Sequence, residues 1–173
     1  MNKWRVCALA LSVLAAVSLG LAQTSKRKPA ADQAAKAHDA HVMVTPEQVR
    51  WGPAPPSLPP GAELAVLDGD PSKAGVPFTI RGRFPDGYKV PPHWHPTDEH
   101  VVVLEGALLM GLGEKLDEAV AHELVAGSYA RMPKGVRHFA VAKGPTVIQV
   151  SGIGPFAINY VNPADDPRNN AHK

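Results

Sequence analysis

Gly87-Tyr-Lys-Val-Pro-Pro-His93-Trp-His95-Pro-Thr-Asp-Glu99-His100-Val-Val-Val-Leu-Glu-Gly106 is the stretch that decides the reading of this 173-residue chain. His93 and His95 are two positions apart, so on an extended strand both imidazoles leave the same face and one metal ion can take both. Pro96-Thr97-Asp98 is turn-prone, which lets the following strand bring the Glu99 carboxylate back beside the two rings. A second stretch, Gly127 to Pro133, Gly135 and His138, offers a further imidazole. Three histidines and one carboxylate are a complete ligand set for one divalent transition metal, with positions left open for small ligands.

At these residues the sequence resembles the cupin superfamily of small jelly-roll barrels. The first family motif, Gly, five residues, His-x-His, three or four residues, Glu, six residues, Gly, is met at Gly87, His93, His95, Glu99 and Gly106. The second, Gly, five residues, Pro-x-Gly, two residues, His, three residues, Asn, is met at Gly127, Pro133, Gly135 and His138 and departs at Ala142, where the family often has Asn. That departure removes any hydrogen bond an Asn would give a metal ligand. Residues 107–126 are the linker between the motifs. The wording around His93 and His95 is also similar to that of a subgroup of exported single-domain bacterial cupins, a likeness that names no reaction.

Strand context supports an all-β, cupin-type jelly-roll barrel (a double-stranded β-helix) with a short helical and extended N-terminal arm. Short apolar or alternating runs at residues 63–67, 78–84, 100–104, 107–112, 128–132, 138–142, 146–151 and 156–161 are each bounded by Gly, Pro or Asp, the pattern of an antiparallel sandwich or barrel. Pro91 and Pro92 lack N–H groups, so the approach to His93 is expected at an edge or rim. Gly106 is expected in a tight positive-φ turn between two strands, and Pro133-Lys134-Gly135 in a turn that aims His138. Tyr88, Met132, Phe139 and Phe156 are expected in the barrel core, and Trp94, between the two histidines, on the opposite face.

The flanks have different physics. Lys3 and Arg5 precede an apolar run from Val6 to Ala22 with a small-residue exit, which reads as a secretory signal peptide over residues 1–22 and places the domain in the periplasm or outside the cell. Cleavage after Ala22 removes Cys7, the only cysteine, and with it any disulfide or thiolate ligand; loss of Lys3 and Arg5 brings the 18 basic residues level with the 16 acidic ones. A near-neutral chain without a basic stripe gives nucleic-acid binding no support, and no stable membrane span is expected after cleavage. Residues 23–44 read as a flexible tether, 45–62 as a short helix and a Pro-rich arm running extended over the barrel's outside, 63–162 as the barrel and 163–173 as a polar tail. His38 and His172, outside the barrel, are expected to be solvated.

The reading leaves alternatives at the site. The resemblance allows a four-residue spacer, which would put His100 in place of Glu99 and make the ligand set all nitrogen; adjacent strand residues face opposite ways, so only one of the two can serve. Asp98 and Glu105 read as solvated turn acids. Arg131 and Arg137 flank the second motif and are candidates to hold an anionic substrate at the barrel mouth. The ligand set suits Fe, Mn, Ni, Cu, Co or Zn, and the resemblance implies dioxygenation, oxidative decarboxylation, isomerisation or plain binding at such a site. The expectation is an exported, metal-dependent, dioxygenase-like oxidoreductase acting on a small molecule, with Glu99 also able to relay a proton. The alternative is a periplasmic module that binds or senses a metal or small ligand without turnover. Uncovered edge strands make a homodimer an expectation too.

Overall fold

Leu104, Glu105 and Gly106 break the alternation of inward residues between Val101 and Met110, and the architecture turns on how that break is built. The computed structural model describes residues 41–169; the segment 1–22 read as a signal peptide, most of the expected tether, and the end of the tail with His172 lie outside the described residues, as do Cys7 and His38. Among the described residues there are nine strands: β1 (Gly52–Pro53), β2 (Glu63–Gly69), β3 (Pro77–Phe84), β4 (Lys89–Trp94), β5 (Glu99–Leu112), β6 (His122–Val125), β7 (Tyr129–Met132), β8 (His138–Ile153) and β9 (Asn159–Tyr160). All pairings are antiparallel, and the strands curl into one jelly-roll barrel of the expected class.

Strands β5 and β8 form its spine. They pair along nearly their whole length, from Glu99 opposite Gly152 to Leu112 opposite His138. The far half of β8 pairs with β3, and β3 with β2 and then β1, while the near half of β8 pairs with β4 and β4 with β9. β7 flanks the first half of β5 and β6 the second half. The two long strands therefore pass from one wall of the barrel to the other.

This corrects the expectation of separate strands at 100–104 and 107–112, and likewise at 138–142 and 146–151. Gly106 has φ of 73°, but it sits in a bulge inside one continuous strand instead of a hairpin turn. Before the bulge Glu99, Val101 and Val103 are buried; after it Leu108 and Met110 are. The extra residue shifts the alternation by one, so both halves of β5 turn apolar side chains into the same barrel. A side chain on Gly106 would collide with the Pro145 carbonyl on β8.

The core is formed by Phe78, Ile80, Val101, Leu108, Ile148 and Val150 with their neighbours, residues that the period-2 pattern points inward. Phe139 is fully buried by another route: it projects on the other face of β8 from His138, and its ring fills the space above Gly111, its cross-strand partner on β5. Met132 and Phe156 pack against the core from its margin, and Tyr88 lies within it, stacked on Phe84.

Two further expectations change. Pro91 and Pro92 do interrupt the β4–β8 ladder between Val90 and His93, as their missing N–H groups require, yet β4 is not outermost, because β9 pairs with it at His93 and Trp94. The Pro-rich arm does not simply run extended over the outside. It turns at Pro56–Ser57, closed by the Leu58 N–H donating to the Pro55 carbonyl at 2.9 Å, and Pro55, Ser57 and Leu58 become part of the wall of the barrel's cavity. Two phenols hold it there: Tyr88 donates to the Pro59 carbonyl and Tyr160 to that of Ser57, at 2.7 Å for the latter. The short helix at the arm's start is a single 3-10 turn, Pro46–Gln48, with the Gln48 side-chain oxygen accepting from the Thr45 N–H at 2.9 Å.

Candidate metal centre

His93 and His138 stand directly opposite each other in the β4–β8 pair, which makes them near neighbours across two strands. His95 follows His93 on the same side of the chain, just past the end of β4. Glu99 opens β5 with its side chain inward. All four are buried, at 4, 3, 7 and 1% exposure for His93, His95, Glu99 and His138. The ligand nitrogens of the three histidines lie within 4.8 Å of one another, close enough to hold one metal ion. Glu99 Oε2 is 3.2 Å from His138 Nε2 and 3.6 Å from His95 Nε2. Ligands about 2.1 Å from a shared metal stand roughly 3 Å apart, so Glu99 lies near ligand spacing from His138 and His95.

Each ring is oriented by a backbone carbonyl. Nδ1 of His93 lies 2.7 Å from the Pro91 oxygen, that of His95 2.8 Å from Ala157, and that of His138 3.0 Å from Val136. A carbonyl oxygen can only accept, so Nδ1 carries a proton in each ring and Nε2 is the nitrogen left to bind a metal. Two of the three acceptors are the residue two positions before the histidine, supplied by the local chain. This explains how the centre manages with Ala142 in place of the family's Asn: Ala142 is buried, and its backbone is bonded to Gly87 and Tyr88.

Polar atoms are left over inside. His95 Nε2 and Glu99 Oε2 are buried without a hydrogen-bond partner, an arrangement that costs about 1–3 kcal/mol for each neutral group and more for a charged one. Bound metal would satisfy both, which is the observation by which the residues fit a divalent transition metal. Burial, reinforced by the neighbouring rings of His138 and His95, pushes the His93 imidazole down to about 3, and burial lowers His95 too. Burial alone would raise Glu99, but the imidazoles of His138, His95 and His93 together outweigh it and hold the carboxyl below its ordinary value. A neutral imidazole at His93 and at His95 and a carboxylate at Glu99 are the protonation states a metal needs.

The loops are cross-tied. Gly135 donates its N–H to the His95 carbonyl at 2.9 Å, joining the two motif segments. Asp98, expected to be a solvated turn acid, accepts from the Lys134 N–H at 2.9 Å and pairs with Arg131 at 3.3 Å. Phe156 stacks on His95, with centroids 4.3 Å apart and planes 22° from parallel. Sequence reading placed Phe156 in the core but could not assign it to His95, because no spacing rule links residues 61 positions apart in chain order.

The remaining candidates go elsewhere. His100 points away from the centre, its Nδ1 2.7 Å from the Tyr129 hydroxyl. Arg131 and Arg137 are paired with Asp98 and Glu114 respectively, and neither lines the cavity; the expectation that they hold an anion at the mouth is corrected, because alternation on β7 turns Arg131 outward and Arg137 precedes β8 on its exposed side. The cavity itself, about 160 Å³, has the four buried donors as part of a wall otherwise made mostly of apolar side chains.

No curated protein matches this sequence. Among solved structures, the polyketide cyclase RemF from Streptomyces resistomycificus superposes with a TM-score of 0.57 at 20% identity, covering 74% of this chain and 90% of that one. An acetylacetone dioxygenase from Acinetobacter johnsonii gives 0.55 at 16% identity over 74% and 81%, and KdgF from a Halomonas species 0.51 at 19% over 66% and 96%. At these identities the likeness is one of fold. The ChrR cupin-like domain model matches residues 39–157, most of the chain and both motif segments, and the protein therefore belongs to the ChrR cupin-like domain family of the cupin superfamily.

Proposed function

We propose that this chain is an exported metal-binding cupin that performs a dioxygenase-like oxidation of a small molecule, with His93, His95, His138 and Glu99 holding one divalent transition metal. The observation that carries the reading is the set of buried, convergent and partly unpartnered donors at an otherwise apolar cavity. No second acid or base lines that cavity, so the chain's own groups offer little general acid–base chemistry beyond Glu99. A bound redox metal would supply open positions for oxygen and a substrate oxygen, and the electron exchange between them. The residues do the rest. The three rings hold their Nε2 atoms fixed through their carbonyl partners, the apolar wall excludes water, and Glu99 Oε2 is the place inside where a substrate proton can be held. Export rests on the sequence of residues 1–22; among the described residues no helix is long and apolar enough to cross a membrane.

The same scarcity of acid–base groups favours a second reading, a module that binds or senses a ligand without turnover. Elemental analysis by mass spectrometry, on protein purified from its own host beside a His93→Ala, His138→Ala double variant, tests the shared step. About one equivalent of Fe, Mn, Ni or Cu, lost in the variant, is expected. An oxygen-uptake screen on that metal-replete protein then separates the readings: consumption with a screened substrate supports the enzyme, and ligand-induced stabilisation without uptake supports the binding module.

A further inference from the structure

The cavity wall says more about the ligand than the metal donors do. Besides the three histidines and Glu99, the only polar side chain lining it among the described residues is that of Ser57. The remainder is apolar, including Ile80, Val101, Leu108, Met110, Ile148 and Val150 along the barrel and Phe156 beside His95. Among the described residues no lysine or arginine lines it. Arg131 and Arg137 are engaged with Asp98 and Glu114 outside.

Placing a charge against such a wall leaves it without a partner, which is strongly unfavourable. Apart from Ser57, only the end of a ligand that meets the histidines and Glu99 finds polar side chains. The volume sets the scale: about 160 Å³ is close to an engineered cavity of about 150 Å³ that takes up benzene. From these two observations we infer that the ligand is a compact molecule of benzene-like size, with an uncharged apolar body along the barrel and its oxygen atoms confined to the histidine end. The inference rests on the proposed site as far as the oxygen end is concerned; the apolar body depends on the wall alone. Leu58 is brought into the wall by the strap that Tyr88 and Tyr160 hold, so shortening its side chain would enlarge the cavity there.

The test uses methyl-labelled full-length protein without its signal peptide, in metal-free and Zn(II)-replete forms, titrated with benzene and with succinate and followed by NMR. Benzene is expected to shift the Ile80, Val101, Leu108, Ile148 and Val150 methyls in both forms, and succinate to shift none of them in the metal-free form. Ala140→Leu, which fills the cavity from β8, should weaken benzene binding at least tenfold. Should that variant not fold, Leu58→Ala should admit naphthalene, which the parent cavity excludes. Saturable succinate binding at these methyls in metal-free protein, or no benzene response in a protein that takes up Zn(II), overturns the inference while leaving the metal site standing. Benzene binding without Zn(II) uptake does the reverse: it supports the apolar pocket and removes the metal reading.

Discussion

Glu99 Oε2 lies 3.2 Å from His138 Nε2, the carboxylate opening β5 and the imidazole opening β8, and the atom has no hydrogen-bond partner. His100, one residue on, is directed to the opposite face and meets Tyr129. If Glu99 is the fourth ligand, Glu99→Gln exchanges a charged oxygen for a neutral amide and should weaken Zn(II) or Fe(II) binding by at least about tenfold, the lower bound for disturbing a metal's close surroundings. His100→Ala should leave affinity and stoichiometry unchanged. Competitive titration against a chromophoric chelator reads both, and equal losses in the two variants would reject the assignment.

Acid should weaken the metal-free fold earlier than carboxylate titration would explain. His93 stays neutral down to about 3 in the folded chain because it is buried beside other imidazoles, whereas in the unfolded chain a histidine takes up a proton near 6.5. Between those values the unfolded state binds the extra proton, so stability is highest above 6.5 and falls as pH drops, by about 1.4 kcal/mol per pH unit for this one residue. Glu99, held below its ordinary value, adds loss in the same direction once pH falls beneath the unfolded carboxyl range. Urea unfolding of chelator-treated protein between pH 7 and 5 checks the slope, which His93→Gln should flatten.

Metal should raise thermal stability in the native protein and lose that effect on chelation. Binding only to the folded state at a hundredfold excess over Kd stabilises by about 2.7 kcal/mol. For a domain of this size that corresponds to roughly 5–10 °C in Tm. Differential scanning fluorimetry with and without a chelator measures it, and the shift should vanish in the His93→Ala, His138→Ala variant.

Gly106→Ala should cost more than about 1 kcal/mol, since its φ of 73° strains any L side chain and the added methyl meets the Pro145 carbonyl. The effect should not stop at stability. The bulge sets which residues of β5 face inward, so methyl NMR should report altered packing at Val103 and Leu108 on both sides of it. A neutral outcome would show that β5 keeps its phase without the glycine.

The strap should loosen when its phenols are removed. The Tyr160 hydroxyl is pushed up to about 12 by burial and then by the nearby Asp166 carboxylate, so it stays a protonated donor to the Ser57 carbonyl. Tyr160→Phe should cost about 0.5–1.5 kcal/mol. Amide exchange should rise locally at Ala54 and Leu58, with little change at Val150 in the core.

Much of this protein was legible in its sequence because the governing physics is local. Alternation over two residues placed His93 and His95 on one side and allowed only one of Glu99 and His100 to face the same way, the choice between them being left to the structure; Gly135 and Pro133 announced the turn before His138; and β3, with its alternating Phe78, Ile80 and Phe84, fell where the pattern put it. Chain-distant packing was not legible. Whether Gly106 begins a turn or a bulge depends on β8 lying alongside to continue the pairing, and glycine permits both. The short strand His122–Val125 forms only because β5 presents a partner. Arg131 and Arg137 carry the charge an anion site would want, but strand direction, set by the barrel as a whole, turns them to Asp98 and Glu114. Likewise Phe156 against His95, and the Pro-rich strap in the cavity wall, follow from closure of the barrel, which brings residues about a hundred positions apart, Ser57 and Tyr160, into hydrogen-bond contact. The sequence determined the fold family and the three histidines that cluster; the tertiary structure alone decided which of Glu99 and His100 faces them and the cavity's shape and lining, because burial of apolar surface selects the closure as a whole and no local rule encodes it.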